Sequence, residues 1–215
     1  MDFGNMLSMV IAQRQARYLR IHKNFYVLAP GWLREMADQF LEFFAGHKCK
    51  VLDLYYDRAG NAYARQGQDN AGKIKAAIER DADGRPTGWT VNLMSRGQGN
   101  LKQDSEYNFM LEFMGGKNRA LPQLLVDALN CQEMISSLEL ARQAVKYKGQ
   151  TKIVSKVKTS EKLELKKLPR LSTNLSDAFK YLCMRKEWRD AVRPDTQSTG
   201  ARASVDSWVE AHLGS

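Results

Sequence analysis

The sequence predicts an α/β domain in which helices flank a mixed β-sheet, and three observations support that fold class. Two apolar segments at 6–13 and 19–28 flank the polar stretch 14–17, which is typical of a β-hairpin. Apolar residues then recur at helical spacing over 33–44. The apolar run 51–56 follows as a strand. A hairpin, a helix and a strand in this order are typical of sheets that contain both antiparallel and parallel pairs.

Helical and strand patterns alternate along the rest of the chain. The remaining elements are predicted in the order helix, strand, helix, strand, helix and helix, over 72–80, 89–94, 104–114, 124–126, 131–145 and from Asn174 onward. The glycine-rich stretch 96–100 is too short to predict a phosphate cradle, so a plain strand-to-helix connection is preferred. We therefore expect one domain over 1–188 and a polar, flexible tail over 189–215.

The charge of the chain makes a polyanion the first partner to consider. The 215 residues include 33 basic and 24 acidic side chains, which gives a net charge of +9. Such an excess favours binding to nucleic acid. The alternative is a generally basic protein whose charge serves no particular ligand.

Cysteine and histidine usage argues against soft-metal and disulfide chemistry. The three cysteines, Cys49, Cys131 and Cys183, lie far apart in the sequence, and the three histidines are His22, His47 and His212. Neither zinc-site spacing nor a disulfide framework is present, so a reducing cytoplasm is expected. The sequence also lacks an apolar run of about 18 residues, a secretory signal and a phosphate-binding loop of the ATPase type. Neither a membrane partner nor a nucleotide-driven motor is predicted.

Three isolated carboxylates, Asp2, Asp57 and Asp177, are candidate ligands of hard divalent cations. Asp57 ends a predicted strand and Asp177 lies near the start of a predicted helix, an arrangement often used to hold metal ions beside a phosphodiester. Structural alternatives exist for two of them. Asp57 also belongs to a good turn sequence. For Asp177, Asn174 or Thr173 can cap its helix. Counted from an Asn174 cap, Asp177 is the third helical residue, where the free amides and the helix dipole would stabilise it.

A basic segment over 150–171 is the candidate DNA-binding surface. It contains seven basic residues and only two acidic ones. The basic residues are Lys152, Lys156, Lys158, Lys162, Lys166, Lys167 and Arg170. Aromatic residues are missing from this segment, so contact with a duplex backbone is favoured over stacking on single strands. The alternative is a solvated hairpin with lysines on its exposed face.

Four motifs in a fixed order carry a resemblance to a known family. They are the segments Leu54–Asn61, Gly88–Met94, Lys158–Lys162 and Ser172–Tyr181. From about Asp2 to Trp188, the chain resembles the nuclease domain of the large terminase subunit of tailed bacteriophages. This resemblance implies a ribonuclease H-like fold, with a mixed sheet flanked by helices.

The resemblance also implies a metal-dependent endonuclease that cuts concatemeric double-stranded DNA during genome packaging in the bacterial cytoplasm. Asp2, Asp57 and Asp177 would be the catalytic residues and would bind two magnesium or manganese ions. Asp2 would bridge both ions, and Asp57 and Asp177 would each complete the shell of one ion. Double-stranded DNA, other terminase subunits and the capsid portal would be its partners.

Two departures from the family pattern leave alternatives open. The upstream ATPase domain of the family is missing from this sequence, and Asp2 is preceded only by Met1, where the family's first strand extends further back. A truncated first strand would leave the sheet with a partly unpaired edge. A prophage remnant that only binds DNA or assists assembly is therefore one alternative. Another nuclease of the same fold, such as a junction resolvase, is the second.

Overall fold

A four-stranded sheet forms around the N-terminal hairpin. The structure is a computed structural model that describes residues 1–4, 6–30, 32–58, 69–96, 103–148 and 151–192. Its first sheet contains β1 (Asp2–Phe3), β2 (Met6–Gln15), β3 (Tyr18–Leu28) and β6 (Gln123–Val126), in that order. The pairs β1–β2 and β2–β3 are antiparallel, whereas β3 and β6 run parallel. The predicted hairpin and its mixed surroundings are therefore confirmed.

The hairpin is longer than the sequence predicts because its turn is tight. Gln15 pairs with Tyr18, so only Ala16 and Arg17 lie between the strands. Ala16 has a positive φ of 51°, which suits such a turn. The first five residues of β2 are all buried because elements cover both faces of this strand.

A second, two-stranded sheet follows the first helix. Helix α1 (Leu33–Phe43) leads into β4 (Val51–Leu54), and helix α2 (Asn70–Glu79) leads into β5 (Thr90–Leu93). Strands β4 and β5 are parallel. Each of these elements was predicted within a few residues of its observed bounds.

Met1 joins the two sheets. The terminal amine of Met1 donates a hydrogen bond to the carbonyl of Tyr55 at 2.6 Å, and the amide of Asp57 donates to the carbonyl of Met1 at 3.0 Å. These two bonds have the pattern of a parallel β-bridge between Met1 and Tyr56. Through this bridge the strands follow one another in the order β6, β3, β2, β1, β4, β5.

Helices cover both faces of this mixed sheet. Leu7 and Met9 of β2 pack with α1 and α2 in one apolar cluster. Met6 and Val10 point to the opposite face and pack with later helices in a second cluster. The helices of the chain's second half are α3 (Gln103–Gly115), α4 (Gln132–Glu139), α5 (Leu168–Leu171), α6 (Asn174–Cys183) and α7 (Lys186–Ala191). The predicted mixed sheet flanked by helices is confirmed.

The predicted helix over 131–145 is wrong in its second half. Helix α4 ends at Glu139, and the chain then forms a hairpin of β7 (Gln143–Lys148) and β8 (Thr151–Lys156). The helical apolar stripe extends only to Ala141, and no glycine or proline marks the stop. Pairing with β8 decides the strand, and a local pattern does not reveal a partner that follows later in the chain.

The end of the domain differs slightly from the prediction. Helix α7 continues to Ala191, so the first residues of the predicted tail belong to a helix. The rest of the tail over 193–215 lies outside the described residues, as does most of the glycine-rich stretch 96–100. None of the helices within the described ranges is long and apolar enough to cross a membrane.

Substitution of Trp188 in α7 tests whether this helix belongs to the core. Its side chain is only 2% exposed and its ring lies 5.2 Å from that of Phe113. We expect Trp188→Ala to lower the free energy of unfolding by about 3–5 kcal/mol, because a large cavity would remain. Urea titration measures this change. Trp32 is 72% exposed, so Trp32→Ala should change stability by no more than about 0.5 kcal/mol. Equal effects of the two substitutions would contradict the packing described.

Candidate functional site

Backbone contacts bring three distant acids to one place. Asp2 lies in β1, next to Met1, whose carbonyl accepts the amide proton of Asp57. Asp177 lies in α6, which packs against β1 and β2. Asn174 of the same helix donates a hydrogen bond from Nδ2 to Asp2 Oδ2 at 3.3 Å. The start of α6, β1 and the segment after β4 therefore meet around Asp2.

The charges of these acids act on one another. Burial, followed by the negative charges of Asp177 and Asp57, raises the pKa of Asp2 to about 7. Burial and then the charges of Asp57, Asp177 and Asp2 also raise the pKa of the Tyr181 hydroxyl far above its ordinary value. Asp2 is 9% exposed and Asp177 is 8% exposed, so little water screens these two carboxylates.

Burial also acts on the amino group of Met1. It lowers the pKa of this group to about 5, against the opposing effect of the negative charges of Asp2 and Asp57.

Asp177 is the fourth residue of α6, as expected with Thr173 and not Asn174 at the N-cap position. The helix starts at Asn174, and Thr173 precedes it without a capping bond from its side chain. The Asp177 amide donates to the carbonyl of Thr173 at 3.3 Å. The carboxylate of Asp177 lies against the ammonium groups of two lysines. Asp177 is therefore stabilised by two lysine ammonium groups and not only by the start of its helix.

Lys156 differs from the other residues of the basic segment. Its Nζ lies 2.6 Å from Asp177 Oδ2 and donates to the carbonyl of Thr173 at 2.6 Å. The side chain is only 19% exposed. The sequence predicts a phosphate-facing lysine here, but the structure directs this ammonium into the acidic site. Its place at the end of β8 explains the difference, because β8 is a strand of a hairpin and not part of the exposed loop.

Lys180 is the second lysine beside Asp177. Its Nζ lies 3.5 Å from Asp177 Oδ1 and 3.0 Å from Glu106 Oε2. Burial alone would lower the pKa of Lys180, but the charges of Asp177 and Glu106 outweigh that effect and raise it. The sequence places Lys180 one turn after Asp177, yet no local pattern points to Glu106 of α3.

Asn174 holds Asp2 and needs a glycine nearby. A Cβ added to Gly4 would lie 2.7 Å from Asn174 Nδ2 and 3.4 Å from Asp2 Oδ2, so Gly4 makes room for the pair. Asn174 is 5% exposed, and its Oδ1 has no hydrogen-bond partner among the described residues. A buried acceptor without a partner costs about 1–3 kcal/mol. Sequence reasoning missed this role, although the three-residue spacing to Asp177 places both on one helix face.

The remaining basic residues form an exposed surface next to this site. The chain from β8 to α6 passes through two short 3-10 turns, at Thr159–Lys162 and Leu165–Lys167, and through α5. The exposed cations on it are Lys158, Lys162, Lys166, Lys167 and Arg170. We call these five residues the basic surface. The side chain of Lys152 lies outside the described residues.

The donor atoms suit a hard cation, but the site is not arranged as a metal centre. Within the described ranges, no three His, Cys, Asp or Glu side chains lie close enough together to form a metal-binding group. The available donors are nevertheless carboxylate oxygens and the buried Oδ1 of Asn174, which are the ligands that Mg²⁺ and Mn²⁺ accept. The ammonium of Lys156 lies where a cation would neutralise Asp177.

Comparison of the chain with protein-family models, with curated proteins and with solved structures found no match. Function is therefore inferred from the acids, the lysines around them and the motifs of the sequence.

The raised pKa of Asp2 predicts a pH-dependent stability. An unfolded aspartate ionises near pH 4, whereas Asp2 in the fold retains its proton up to about pH 7. The stability that protonation provides is complete below pH 4 and is lost as pH rises to 7. The loss is at most roughly 4 kcal/mol, from about three pKa units. We therefore expect Asp2→Asn to be more stable than the wild type at pH 8.

The advantage of Asp2→Asn should shrink at pH 5, where wild-type Asp2 is protonated in the fold. Urea unfolding of both proteins at the two pH values measures the difference, in which titrating groups that do not interact with Asp2 cancel. Asp53 is exposed and pairs with Asn92 at the surface. The control Asp53→Asn should show no such change with pH. A stability difference for Asp2→Asn that is the same at pH 5 and pH 8 would contradict the assignment.

Proposed function

We propose that this chain is a metal-dependent endonuclease domain that cuts double-stranded DNA, with a ribonuclease H-like fold related to that of phage large terminase nucleases. One observation carries the proposal. Asp2, Asp57 and Asp177 belong to elements far apart in the chain, and the charges of Asp57 and Asp177 act on Asp2 in its buried position. Burying the carboxylate of Asp2 near the negative charges of two other acids costs free energy, so this arrangement favours a role in function over a role in stability.

In this proposal Asp2 is the central ligand, because the negative charges of Asp57 and Asp177 both raise its pKa. Asn174 orients the Asp2 carboxylate through its Nδ2, and Asp57 and Asp177 approach Asp2 from two different elements. Two bound magnesium or manganese ions would supply an activated water and would stabilise the leaving oxygen of the phosphodiester. No protein side chain needs to act as the nucleophile.

The basic surface would hold the DNA beside these acids. It begins after Lys156 and ends before Thr173, and both of these residues contact the Asp177 region. A phosphate backbone bound along the exposed lysines would therefore pass close to the carboxylates. Lysine contacts to phosphates orient a duplex without reading its sequence. From the resemblance we also propose that the substrate is concatemeric phage DNA. Other terminase subunits and the portal would be the partners.

A second candidate function is DNA binding without cleavage. The specific observation in its favour is that Lys156 neutralises Asp177 and that the described acids do not form a metal-binding group. A remnant of this kind would bind DNA through the basic surface and would not respond to divalent metal.

Plasmid cleavage distinguishes the two candidates. The purified chain should nick or linearise plasmid with Mn²⁺ or Mg²⁺, and a chelator should stop the reaction. Asp57→Asn and Asp177→Asn should each lower the rate by more than the roughly 10- to 100-fold typical of residues that only support a metal ligand. Asp53→Asn is the matched control, because Asp53 is an exposed acid of β4 only four residues from Asp57, and should cut at the wild-type rate. Normal cutting by both site variants would rule out the nuclease assignment.

Salt dependence of binding tests the basic surface. Replacing Lys162, Lys166 and Arg170 by glutamine should weaken binding of linear duplex DNA. It should also reduce the slope of log K against log salt by about 0.9 for each phosphate that the variant no longer neutralises. Fluorescence anisotropy over a range of salt concentrations measures both effects. Lys48→Gln is the control, since Lys48 is exposed but precedes β4, at the end of that strand opposite to Asp57. An unchanged slope for the triple variant would place the DNA elsewhere.

A further inference from the structure

We propose that Lys156 is an internal counter-ion that occupies the cation position beside Asp177 and is displaced when a divalent metal ion binds. The inference rests on the proposed function and adds a mode of regulation to that site. The metal site would be closed by an ion pair of the chain itself and would open by exchange of one cation for another.

All three protons of the Lys156 ammonium have an oxygen within reach. Its Nζ lies 2.6 Å from Asp177 Oδ2 and 2.6 Å from the carbonyl of Thr173. It also lies 3.4 Å from Glu161 Oε1. A partly buried ammonium surrounded in this way neutralises the carboxylate as a bound metal ion would.

Of the two lysines at Asp177, Lys156 is the one that a metal ion can displace. Lys180 approaches the other oxygen of Asp177 at 3.5 Å but is held by Glu106 at 3.0 Å, so its main partner lies outside the triad. Lys156 has a second acidic acceptor ready, because Glu161 already lies in contact with it. Glu161 is fixed by a hydrogen bond from Thr173 Oγ1 to its Oε1 at 2.9 Å. A small movement of Lys156 toward Glu161 would free Asp177 Oδ2.

The ion pairs around Asp177 favour the exchange. Lys156 contacts Asp177 and Glu161 at 2.6 Å and 3.4 Å, Lys158 also approaches Glu161 at 3.5 Å, and Lys180 remains at the other oxygen of Asp177. A divalent ion bound at Asp177 would take the place of the Lys156 charge there. Lys156 would keep Glu161 as its partner.

A metal-binding titration without DNA tests the exchange. Mn²⁺ binding to the full chain is followed by electron paramagnetic resonance of the free ion. Lys156→Gln removes the competing charge but keeps a side-chain donor for Asp177 and Thr173. We expect its dissociation constant for Mn²⁺ to fall about tenfold or more, given the strength of a charge interaction at such short range.

Two variants serve as controls. Lys158 lies two residues later, is exposed and approaches Glu161 Oε2 at 3.5 Å. Lys158→Gln should therefore change the dissociation constant less than about twofold, because solvent and salt screen exposed charges. Lys156→Arg keeps the positive charge and should bind Mn²⁺ no more tightly than the wild type. Thermal unfolding of each variant confirms that it is folded.

The outcomes separate this inference from the proposed function. An unchanged or higher dissociation constant in folded Lys156→Gln overturns the inference, and the nuclease proposal stands if the wild type binds Mn²⁺ and Asp177→Asn does not. Lower DNA affinity in Lys156→Gln with unchanged Mn²⁺ binding also overturns it, since Lys156 would then serve the DNA. Failure of both wild type and Lys156→Gln to bind Mn²⁺ at millimolar concentration would overturn the proposed function and the inference together.

Discussion

Two backbone hydrogen bonds of Met1 hold the candidate site together. They connect the first strand to the segment after β4 and so join the antiparallel hairpin to the parallel pair β4–β5. Without this bridge, Asp57 would follow a separate small sheet, and only side-chain packing would set its position relative to Asp2. The contact involves only main-chain atoms, so its geometry is as well defined as that of any strand pair. The backbone of Asp2 is fixed in the same way, because Asp2 is the next residue along the strand.

The same bridge creates an electrostatic problem. It places Asp2 beside the helix that carries Asp177, where burial disfavours a negative charge and two neighbouring acids disfavour it further. Hydrophobic residues of similar size would make a more stable fold at this point. A protein that keeps acids in such a position gives up stability for what the acids do, which is the usual relation between stability and activity at functional sites.

Much of this arrangement follows from local sequence patterns, and the rest does not. The hairpin, α1, β4 and the helix from Asn174 are strongly periodic segments, so their existence is predictable. The partner of Asp177 is different, because no local pattern distinguishes Lys156 from the other lysines of the basic segment 150–171. Only the pairing of β7 with β8 places Lys156 at the end of a strand, within reach of α6. The predicted helix over 131–145 overlaps the start of β7, and no local pattern identifies β8 as its partner, so the contact of Lys156 with Asp177 was not predictable from the sequence.

The choice of lysine at position 156 fits a contact that has to be reversible. An arginine at this position would bind the Asp177 carboxylate through two parallel hydrogen bonds and would be difficult to displace. A lysine ammonium is a compact charge on a flexible stem, and it can turn from one oxygen to another without moving its backbone. Here Asp177 and Glu161 both approach the same ammonium, at 2.6 Å and 3.4 Å. The unequal distances mean that Asp177 is the preferred partner until another cation competes for it. A strand residue with two acceptors within reach can therefore act as a switch, whereas the exposed lysines of the basic surface lie where solvent screens their charge.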